Sequence, residues 1–315
     1  MKKISVKGRD PAFNLAFEEY VAGKTEGGVL IVWRDSPAVV CGRFQNVFRE
    51  TDVIAARGRG VPVLRRITGG GTVFHDEGNV NVSLIVDKSE DGIDTLLLPD
   101  LLADALCKIG VRAAVNDASD VTVEGKKVSG SARAAVGSRE IHHATLLFDV
   151  NLDALCALTS SVSGDAFVSG GIKSRKAPVA NISPFMPDVT TDEFIEKIKA
   201  AIGGSDGWLT EDDFDLSAVS GQKYRSTDRT YGENPKFAFS GTCETARGTL
   251  TLSYESRKGK ILSVDAVGAF AENIRKLVGA SLAPGETCEA LVGAGVGRDD
   301  ATVLERFILT GKTQI

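Results

Sequence analysis

The chain has 315 residues, of which 43% are hydrophobic, and its formal net charge at pH 7 is −5. This length and composition favour a globular protein with one large domain and one small domain. The acidic balance excludes nucleic-acid binding carried by bulk positive charge, and no apolar run approaches the roughly 18 residues that a membrane span requires.

The five cysteines are odd in number, lie far apart and form no Cys-x-x-Cys pair. They indicate neither a disulfide framework nor a zinc site, and we interpret them as small buried hydrophobic residues in a reducing compartment. The amino terminus carries lysines and an arginine where a secretory signal would have an apolar segment. These features predict a soluble, cytoplasmic protein.

Strand signals dominate the first half of the chain. Asp10-Pro11 supplies an N-cap and a first helical residue, and the apolar spacing after it predicts a helix over residues 11–22. The turn residues 35–37 lie between two apolar runs and predict a hairpin. The strands predicted in this half are 29–33, 38–41, 61–66, 72–75, 80–86, 119–123, 127–133 and 141–150.

Helical patterns lie between and after these strands. A helix is predicted over 96–109, ending at Gly110, and a capping box at 190–193 begins another that closes at Gly203-Gly204. A turn-rich passage covers residues 231–239. Beyond it the patterns predict strands at 249–254 and 261–264 and helices at 271–277 and 301–309.

These elements predict an α+β fold of two domains. The large domain, residues 1–238, contains a mostly antiparallel sheet with packed helices, and the small α+β domain covers residues 239–315.

A glycine-rich segment between two strand-like runs is the strongest chemical signal in the sequence. Arg65-Arg66 precede Gly69-Gly70-Gly71, and His75-Asp76 follow. Three glycines give up side chains that could pack, and in return they allow positive φ and a close approach of backbone N–H groups to a ligand. We interpret the segment as a cradle for a phosphate or carboxylate.

Arginines also outnumber acidic residues between positions 34 and 66, which predicts a local positive surface suited to an acidic partner.

A second chemical segment surrounds Lys127. The residues that follow it, Ser129-Gly130-Ser131-Ala132, are all small and leave a groove beside the lysine. A lysine in such a groove can reach into a pocket, neutralise a carboxylate and then follow the charge onto a phosphate or acyl-adenylate oxygen.

Taken together, these segments resemble the lipoate-protein ligases, which are relatives of the biotin protein ligases in the class II synthetase-like superfamily. The resemblance covers nearly the whole chain, including the small C-terminal accessory domain. It is carried by Phe13–Tyr20, Trp33–Arg34, Gly42–Asn46, Arg65–Asn81, Lys126–Ala132, His142–Leu147 and Gly232–Phe237.

The resemblance implies a reaction in two steps. Lipoate and ATP give lipoyl-AMP and pyrophosphate, and a lysine of an acceptor lipoyl domain or of a glycine-cleavage H-type carrier then attacks the mixed anhydride to form an amide. Adenylation brings two anions together, so the site needs cations and N–H donors, which Arg66, Lys127 and the Gly69–Gly71 backbone provide.

The resemblance also implies roles for individual residues, with Lys127 as the catalytic residue. It places ATP or lipoyl-AMP against Arg66, Gly71, Thr72, Val73, Phe74, Asp120 and Lys127. It places the lipoyl group against Trp33, Thr68, Gly70, His75, His143 and Lys127.

No metal site of the protein's own is predicted. The three histidines would form one only if the fold gathered them, and Mg²⁺ is expected to arrive with ATP. Acceptor carrier proteins and free lipoate are the expected partners, without nucleic acid or membrane.

Two other functions remain open at this point. An octanoyl or lipoyl transferase of the same fold would move the acyl group between carrier proteins without ATP, through a cysteine thioester. Its best-placed cysteine, Cys156, lies in an apolar helical pattern that favours a buried thiol.

A non-catalytic binder of lipoyl domains is the other alternative, and the presence of Lys127 and the glycine segment argues against it. Biotin ligation fits less well, because biotin ligases interleave arginine in the glycine-rich loop.

Overall fold

The computed structural model describes residues 1–89, 94–159, 166–175 and 177–313. Its strands are β1 (Lys2–Ser5), β2 (Val29–Arg34), β3 (Ala38–Cys41), β4 (Val63–Arg65), β5 (Val73–His75), β6 (Asn79–Asp87), β7 (Ala113–Val115), β8 (Val121–Val123), β9 (Lys126–Ser129), β10 (Ser131–Val136), β11 (Arg139–Leu147), β12 (Phe167–Ser169), β13 (Trp208–Leu209), β14 (Phe237–Thr245), β15 (Gly248–Arg257) and β16 (Lys260–Gly268). Its α-helices are α1 (Pro11–Lys24), α2 (Val47–Glu50), α3 (Val53–Gly58), α4 (Leu97–Lys108), α5 (Leu152–Thr159), α6 (Thr191–Gly203), α7 (Gln222–Arg225), α8 (Ala271–Ile274), α9 (Glu286–Gly293) and α10 (Arg298–Thr310).

The strands form four sheets, and most neighbouring pairs are antiparallel. The largest sheet has the order β10-β11-β6-β2-β1-β13, and a three-stranded sheet has the order β4-β3-β5. The hairpin sheet β7-β8-β9 and the sheet β12-β14-β15-β16 complete the fold. Only the pairs β1–β2, β1–β13 and β3–β4 are parallel among the described strands. The α+β class and the antiparallel character predicted from the sequence are confirmed.

The helix termini follow their sequence signals closely. The Asp10 carboxylate accepts hydrogen bonds from the first backbone N–H groups of α1, with Pro11 in the first turn. At α6 the Thr190 side chain and Glu193 form the predicted reciprocal capping box. Glu124 and Gly125 both adopt positive φ in the tight turn between β8 and β9, which confirms the hairpin that carries Lys127.

The predicted hairpin around residues 35–37 is wrong. β2 pairs with β1 and β6 in the large sheet, whereas β3 pairs with β4 and β5 in another sheet. Asp35, one of the turn residues that suggested a hairpin, has a different role. Its side chain is fully buried. It accepts hydrogen bonds from Asn14 and pairs with His75. The segment therefore carries the chain from one sheet to the other.

Two elements of the C-terminal region were missed. β14 begins inside the predicted turn-rich passage, and its buried residues Phe237, Phe239 and Cys243 follow the period of two expected of a strand. The helix α9 was not predicted because it has only eight residues and glycines lie at both ends.

The C-terminal sheet packs against α8, α9 and α10, and its core is continuous with that of the preceding part of the chain. Phe48 and Phe167 lie in the same apolar cluster as Phe239, Leu304 and Phe307. Strand β12, from the earlier part, pairs with β14. The division between residues 238 and 239 stays a prediction.

Two of the five cysteines contradict their predicted burial. Cys41, Cys243 and Cys288 are buried, but Cys107 and Cys156 are exposed. Cys156 lies on α5, whose described residues are mostly only half-buried. The apolar pattern of this helix therefore does not place the Cys156 thiol in the core. Within the described ranges, no helix is both long enough and apolar enough to cross a membrane.

Candidate active site

Two adjoining cavities lie where the large sheet approaches the β4-β3-β5 sheet. The first has a volume of about 350 Å³ and the second about 690 Å³. The two share one set of wall residues, so they meet along it: Thr72, Val73, Lys127, Gly130, Thr145, Lys173, Ser174 and Arg175.

Away from this shared wall, the first cavity combines apolar side chains with a few polar ones, among them Arg66, His75 and His143. Leu15 of α1, Trp33 of β2, Val40 of β3 and Ala144 of β11 line it, and none of the four borders the second cavity. Three cationic residues, Lys127, Lys173 and Arg175, lie in the shared wall. The arrangement fits a ligand with an apolar body and an anionic end.

The glycine segment wraps around the Arg66 guanidinium. Nη2 of Arg66 donates to the carbonyls of Gly69 and Gly71, and Nη1 donates to the carbonyl of Val40. Of the three consecutive glycines, Gly70 alone has positive φ, +80°. Burial lowers the pKa of Arg66 to about 10, which still leaves the side chain cationic at neutral pH. Arg66 therefore shapes the loop and supplies charge beneath it.

Gly42 belongs to a segment that carries the family resemblance, but the sequence analysis assigned it no role in the site. A Cβ at this position would lie 2.2 Å from the Gly70 carbonyl oxygen. The absence of a side chain at Gly42 therefore allows the glycine segment to lie against β3.

Arg65 and Arg66, paired in the sequence, have different functions in the fold. Arg65 is fully buried and lines neither cavity. Its guanidinium donates to the carbonyls of Gly42, Gln45 and Thr230 and to the Asn234 side chain. Arg65 thus joins the loop before α2 to the segment that precedes β14, and only Arg66 of the pair faces the ligand cavity.

Thr68 lies behind the cavity wall, in a chain of buried hydrogen bonds. Its hydroxyl oxygen accepts from Nε of Arg66 at 2.9 Å and lies 2.7 Å from Nε2 of His143. Nδ1 of His143 lies 3.0 Å from a carboxylate oxygen of Glu18, which is itself 1% exposed. Since the Thr68 oxygen accepts from Arg66, its own proton is available to Nε2, and the proton of a neutral His143 imidazole lies on Nδ1.

His75 is held in a second buried pair. Its Nδ1 lies 2.7 Å from the carboxylate of Asp35, which also accepts from the side-chain amides of Asn14 and Asn81. His75, Asn81 and Trp33 all line the first cavity. The indole N–H of Trp33 is buried without a hydrogen-bond partner among the described residues.

Lys127 crosses the small-residue groove predicted for it. A Cβ on Gly130 would lie 2.9 Å from both Cε and Nζ of Lys127, so any side chain at this position would displace the end of the lysine. The backbone is fixed as well, because Lys127 N–H donates to the Pro178 carbonyl and its own carbonyl accepts from Ala180. Lys127 is therefore positioned by both its main chain and its neighbours.

Asp120 binds two cations at the shared wall. Its carboxylate lies 2.9 Å from Nζ of Lys127 and 2.6 Å from Nη2 of Arg175. The segment that carries Arg175 also covers the glycine loop, because the Ser174 hydroxyl accepts the backbone N–H of Thr72 and the side-chain amide of Gln45. The sequence analysis did not single out residues 173–175. Their lysine and arginine could have marked them as candidates for binding an anionic ligand.

The predicted substrate-binding residues converge on these cavities, with one exception. Thr68 lines neither cavity, and Phe74 lines the second cavity only. The remaining residues line the first: Trp33, Arg66, Gly70, Gly71, Thr72, Val73, His75, Asp120, Lys127 and His143. Their division between nucleotide and lipoyl group remains a prediction.

No group of three or more His, Cys, Asp or Glu side chains that could hold a metal ion occurs in the described part of the chain. Asp120 lines the first cavity and Glu50 the second. Both carboxylates are paired with cations, Asp120 with Lys127 and Arg175 and Glu50 with Arg49.

The family model of the lipoyl protein ligase A/B catalytic domain matches residues 10–203. The chain belongs to this family. Lipoate-protein ligase LplJ of Bacillus subtilis is 33% identical over 273 residues, 83% of this chain and 82% of that protein. Lipoate–protein ligase 1 of Staphylococcus aureus is 32% identical, with coverage of 83% and 82%.

Solved structures of the family share the fold. LipL1 of P. falciparum in complex with lipoate has a TM-score of 0.60 at 16% identity and covers 98% of this chain and 99% of its own. A lipoate-protein ligase A bound with ATP has a TM-score of 0.55 at 23% identity, with coverage of 70% and 91%. A bipartite ligase from Thermoplasma acidophilum, described with its E2 lipoyl domain, has a TM-score of 0.59 at 22% identity and coverage of 73% and 96%.

Proposed function

We propose that the protein activates free lipoate with ATP and transfers the lipoyl group to a lysine of an acceptor lipoyl domain or a glycine-cleavage H-type carrier. The position of Lys127 carries the proposal, since it lies where the first cavity, with its apolar side chains, meets the larger second cavity. The hydrocarbon chain and dithiolane of lipoate occupy the first cavity, and its carboxylate lies at Lys127. ATP occupies the second cavity, with its α-phosphate at the same wall.

In the first step a carboxylate oxygen of lipoate attacks the α-phosphorus of ATP, and the bond between that phosphorus and pyrophosphate breaks. Lys127, Arg175 and the buried Arg66 offset the repulsion between the two anions. Asp120 keeps Lys127 and Arg175 together before the substrates bind. Mg²⁺ enters with ATP, as a part of the substrate.

In the second step the uncharged amine of the acceptor lysine attacks the carbonyl carbon of lipoyl-AMP. The amide forms, AMP leaves with the bonding electron pair, and the amine nitrogen releases a proton to water. Lys127 continues to balance the charge on the phosphate as AMP departs. The name of the bipartite archaeal relative, which is described with its E2 lipoyl domain, supports an acceptor of this kind.

ATP–pyrophosphate exchange with and without free lipoate tests the proposal. We expect exchange that requires lipoate and that falls by at least a hundredfold in Lys127→Ala. Lys126→Ala is the matched control, because Lys126 is the exposed neighbour on the same strand and lines neither cavity. Exchange at the wild-type rate in Lys127→Ala would remove Lys127 from the mechanism, and absence of lipoate-dependent exchange in the wild type would refute the ligase.

The position of Cys156 keeps acyl transfer between carriers as a second candidate. This exposed cysteine lines the second cavity. A transferase would form a thioester there from an octanoylated carrier, without ATP. We expect Cys156→Ala and Cys107→Ala, an exposed cysteine that lines neither cavity, to ligate lipoate equally well. Loss of ATP-independent transfer in Cys156→Ala alone would favour the transferase.

A further inference from the structure

An exposed apolar patch lies beside the first cavity, where two loops meet. Phe44 and Ile172 are 51% and 50% exposed. The N–H of Ile172 donates to the carbonyl of Phe44 at 3.0 Å, so the two residues are adjacent in space although they are far apart in sequence. The mouth patch is defined here as Arg43, Phe44, Ile172 and Lys173.

Buried side chains hold both loops in place. The Arg65 guanidinium lies beneath the first loop and donates to the carbonyls of Gly42, Arg43 and Gln45. Arg49 is buried beneath the second loop, and its Nη2 donates to the Gly171 carbonyl at 2.9 Å. A large apolar side chain on a rigid platform loses little conformational entropy when a partner covers it.

The patch borders the opening through which an acceptor must reach the acyl-adenylate. Ile172 and Lys173 line the first cavity and are also exposed at the surface. The cavity therefore opens to solvent beside Phe44. A protein that inserts a lysine there lays its own surface across the mouth patch.

The charge of the patch defines the kind of partner. The Arg43 guanidinium lies 5.4 Å from the centre of the Phe44 ring, and Lys173 follows Ile172. Neither Arg43 nor Lys173 forms an ion pair with any residue that the structure describes. An aromatic residue flanked by arginine is a composition typical of binding hot spots, and unpaired cations around it select an acidic partner.

We infer that the mouth patch is the docking surface for the acceptor, an acidic lipoyl domain whose apolar surface covers Phe44 while its acidic groups face Arg43 and Lys173. This inference rests on the proposed function and names the surface that the second step uses. Lipoate activation does not involve Arg43 or Phe44, because neither lines the cavities.

The test separates the two half-reactions in Phe44→Ala and Arg43→Glu. The probe is a purified, unlipoylated lipoyl domain of a 2-oxoacid dehydrogenase E2 subunit. We expect the KM for this domain to rise at least tenfold in each variant, while lipoate-dependent ATP–pyrophosphate exchange stays within twofold of wild type. The salt dependence of the KM should weaken in Arg43→Glu. Phe185→Ala is the matched control, since Phe185 is 40% exposed and lines neither cavity.

Three results would overturn the docking surface: an unchanged KM in Phe44→Ala, an equal rise in Phe185→Ala, or sedimentation that shows a Phe44-dependent dimer of the protein itself. Failure of the proposed function gives a different result. In that case the wild type shows no lipoate-dependent exchange, and a Phe44-dependent KM for ATP-independent acyl transfer to the same domain would still support the surface.

Discussion

The hydroxyl oxygen of Thr68 lies 2.7 Å from Nε2 of His143 and receives a hydrogen bond from Nε of Arg66. One hydroxyl group thus connects the cation beneath the glycine loop to a histidine of the cavity wall, and through it to the buried Glu18. Thr68 influences the site without touching the cavity, because it fixes the orientation of two side chains that do.

We expect Thr68→Val to lower kcat/KM for lipoate activation by about 10- to 100-fold, because a hydrogen bond to a charged group contributes about 1.5–3 kcal/mol. Thr68→Ser keeps the hydroxyl and should stay near wild type. Steady-state ATP–pyrophosphate exchange at varied lipoate measures both variants. A wild-type rate in Thr68→Val, or a loss in Thr68→Ser as large as that in Thr68→Val, would contradict the role of the hydroxyl.

Gly42→Ala should disable the site without unfolding the chain. Its Cβ would lie 2.2 Å from the Gly70 carbonyl oxygen, so the glycine loop must move away from Arg66. Gly58→Ala in α3 is the control, because a Cβ there meets nothing within 4 Å. We expect lipoate-dependent exchange to fall at least tenfold in Gly42→Ala only, measured beside circular dichroism spectra that match wild type. Normal exchange would mean that the loop tolerates the shift.

Arg65→Met should lower the free energy of unfolding by about 3 kcal/mol or more, because several buried carbonyls lose their hydrogen-bond donor at once. Urea denaturation followed by fluorescence measures the change. Arg59→Met, at an exposed position, should stay within about 0.5 kcal/mol of wild type. A loss at Arg65 no greater than that at Arg59 would contradict the structural role.

His142 should make the fold sensitive to mild acid. Burial lowers the pKa of His142 below its ordinary value of 6.5, while its hydrogen bond to Glu140 opposes the shift. Between the two pKa values the unfolded state binds more protons than the folded state, so stability falls as the pH drops below about 6.5. Urea denaturation between pH 7.5 and 5.5 should show a steeper loss in wild type than in His142→Gln. Parallel slopes would exclude His142 as the cause.

Local chemistry in the sequence predicted much of the fold. The caps of α1 and α6 depend on residues within one helical turn, and the Lys127 hairpin depends on a tight turn, so neighbours in sequence decide them. The hairpin predicted at residues 35–37 failed because Asp35 is used by Asn14 and His75, which lie far from it in sequence. Competition from distant partners is not visible in a window of ten residues.

The sequence by itself determined the chemistry of this protein. It specified a glycine loop next to arginines and a lysine beside small residues, because these groups must be contributed by particular residue types. The tertiary structure decided which role each of those residues has. It buried Arg65 as a structural tie, left Arg66 at the cavity and brought Glu18, Thr68 and His143 into one hydrogen-bonded chain. Burial and contact between distant segments set these outcomes, and both depend on the packing of whole sheets.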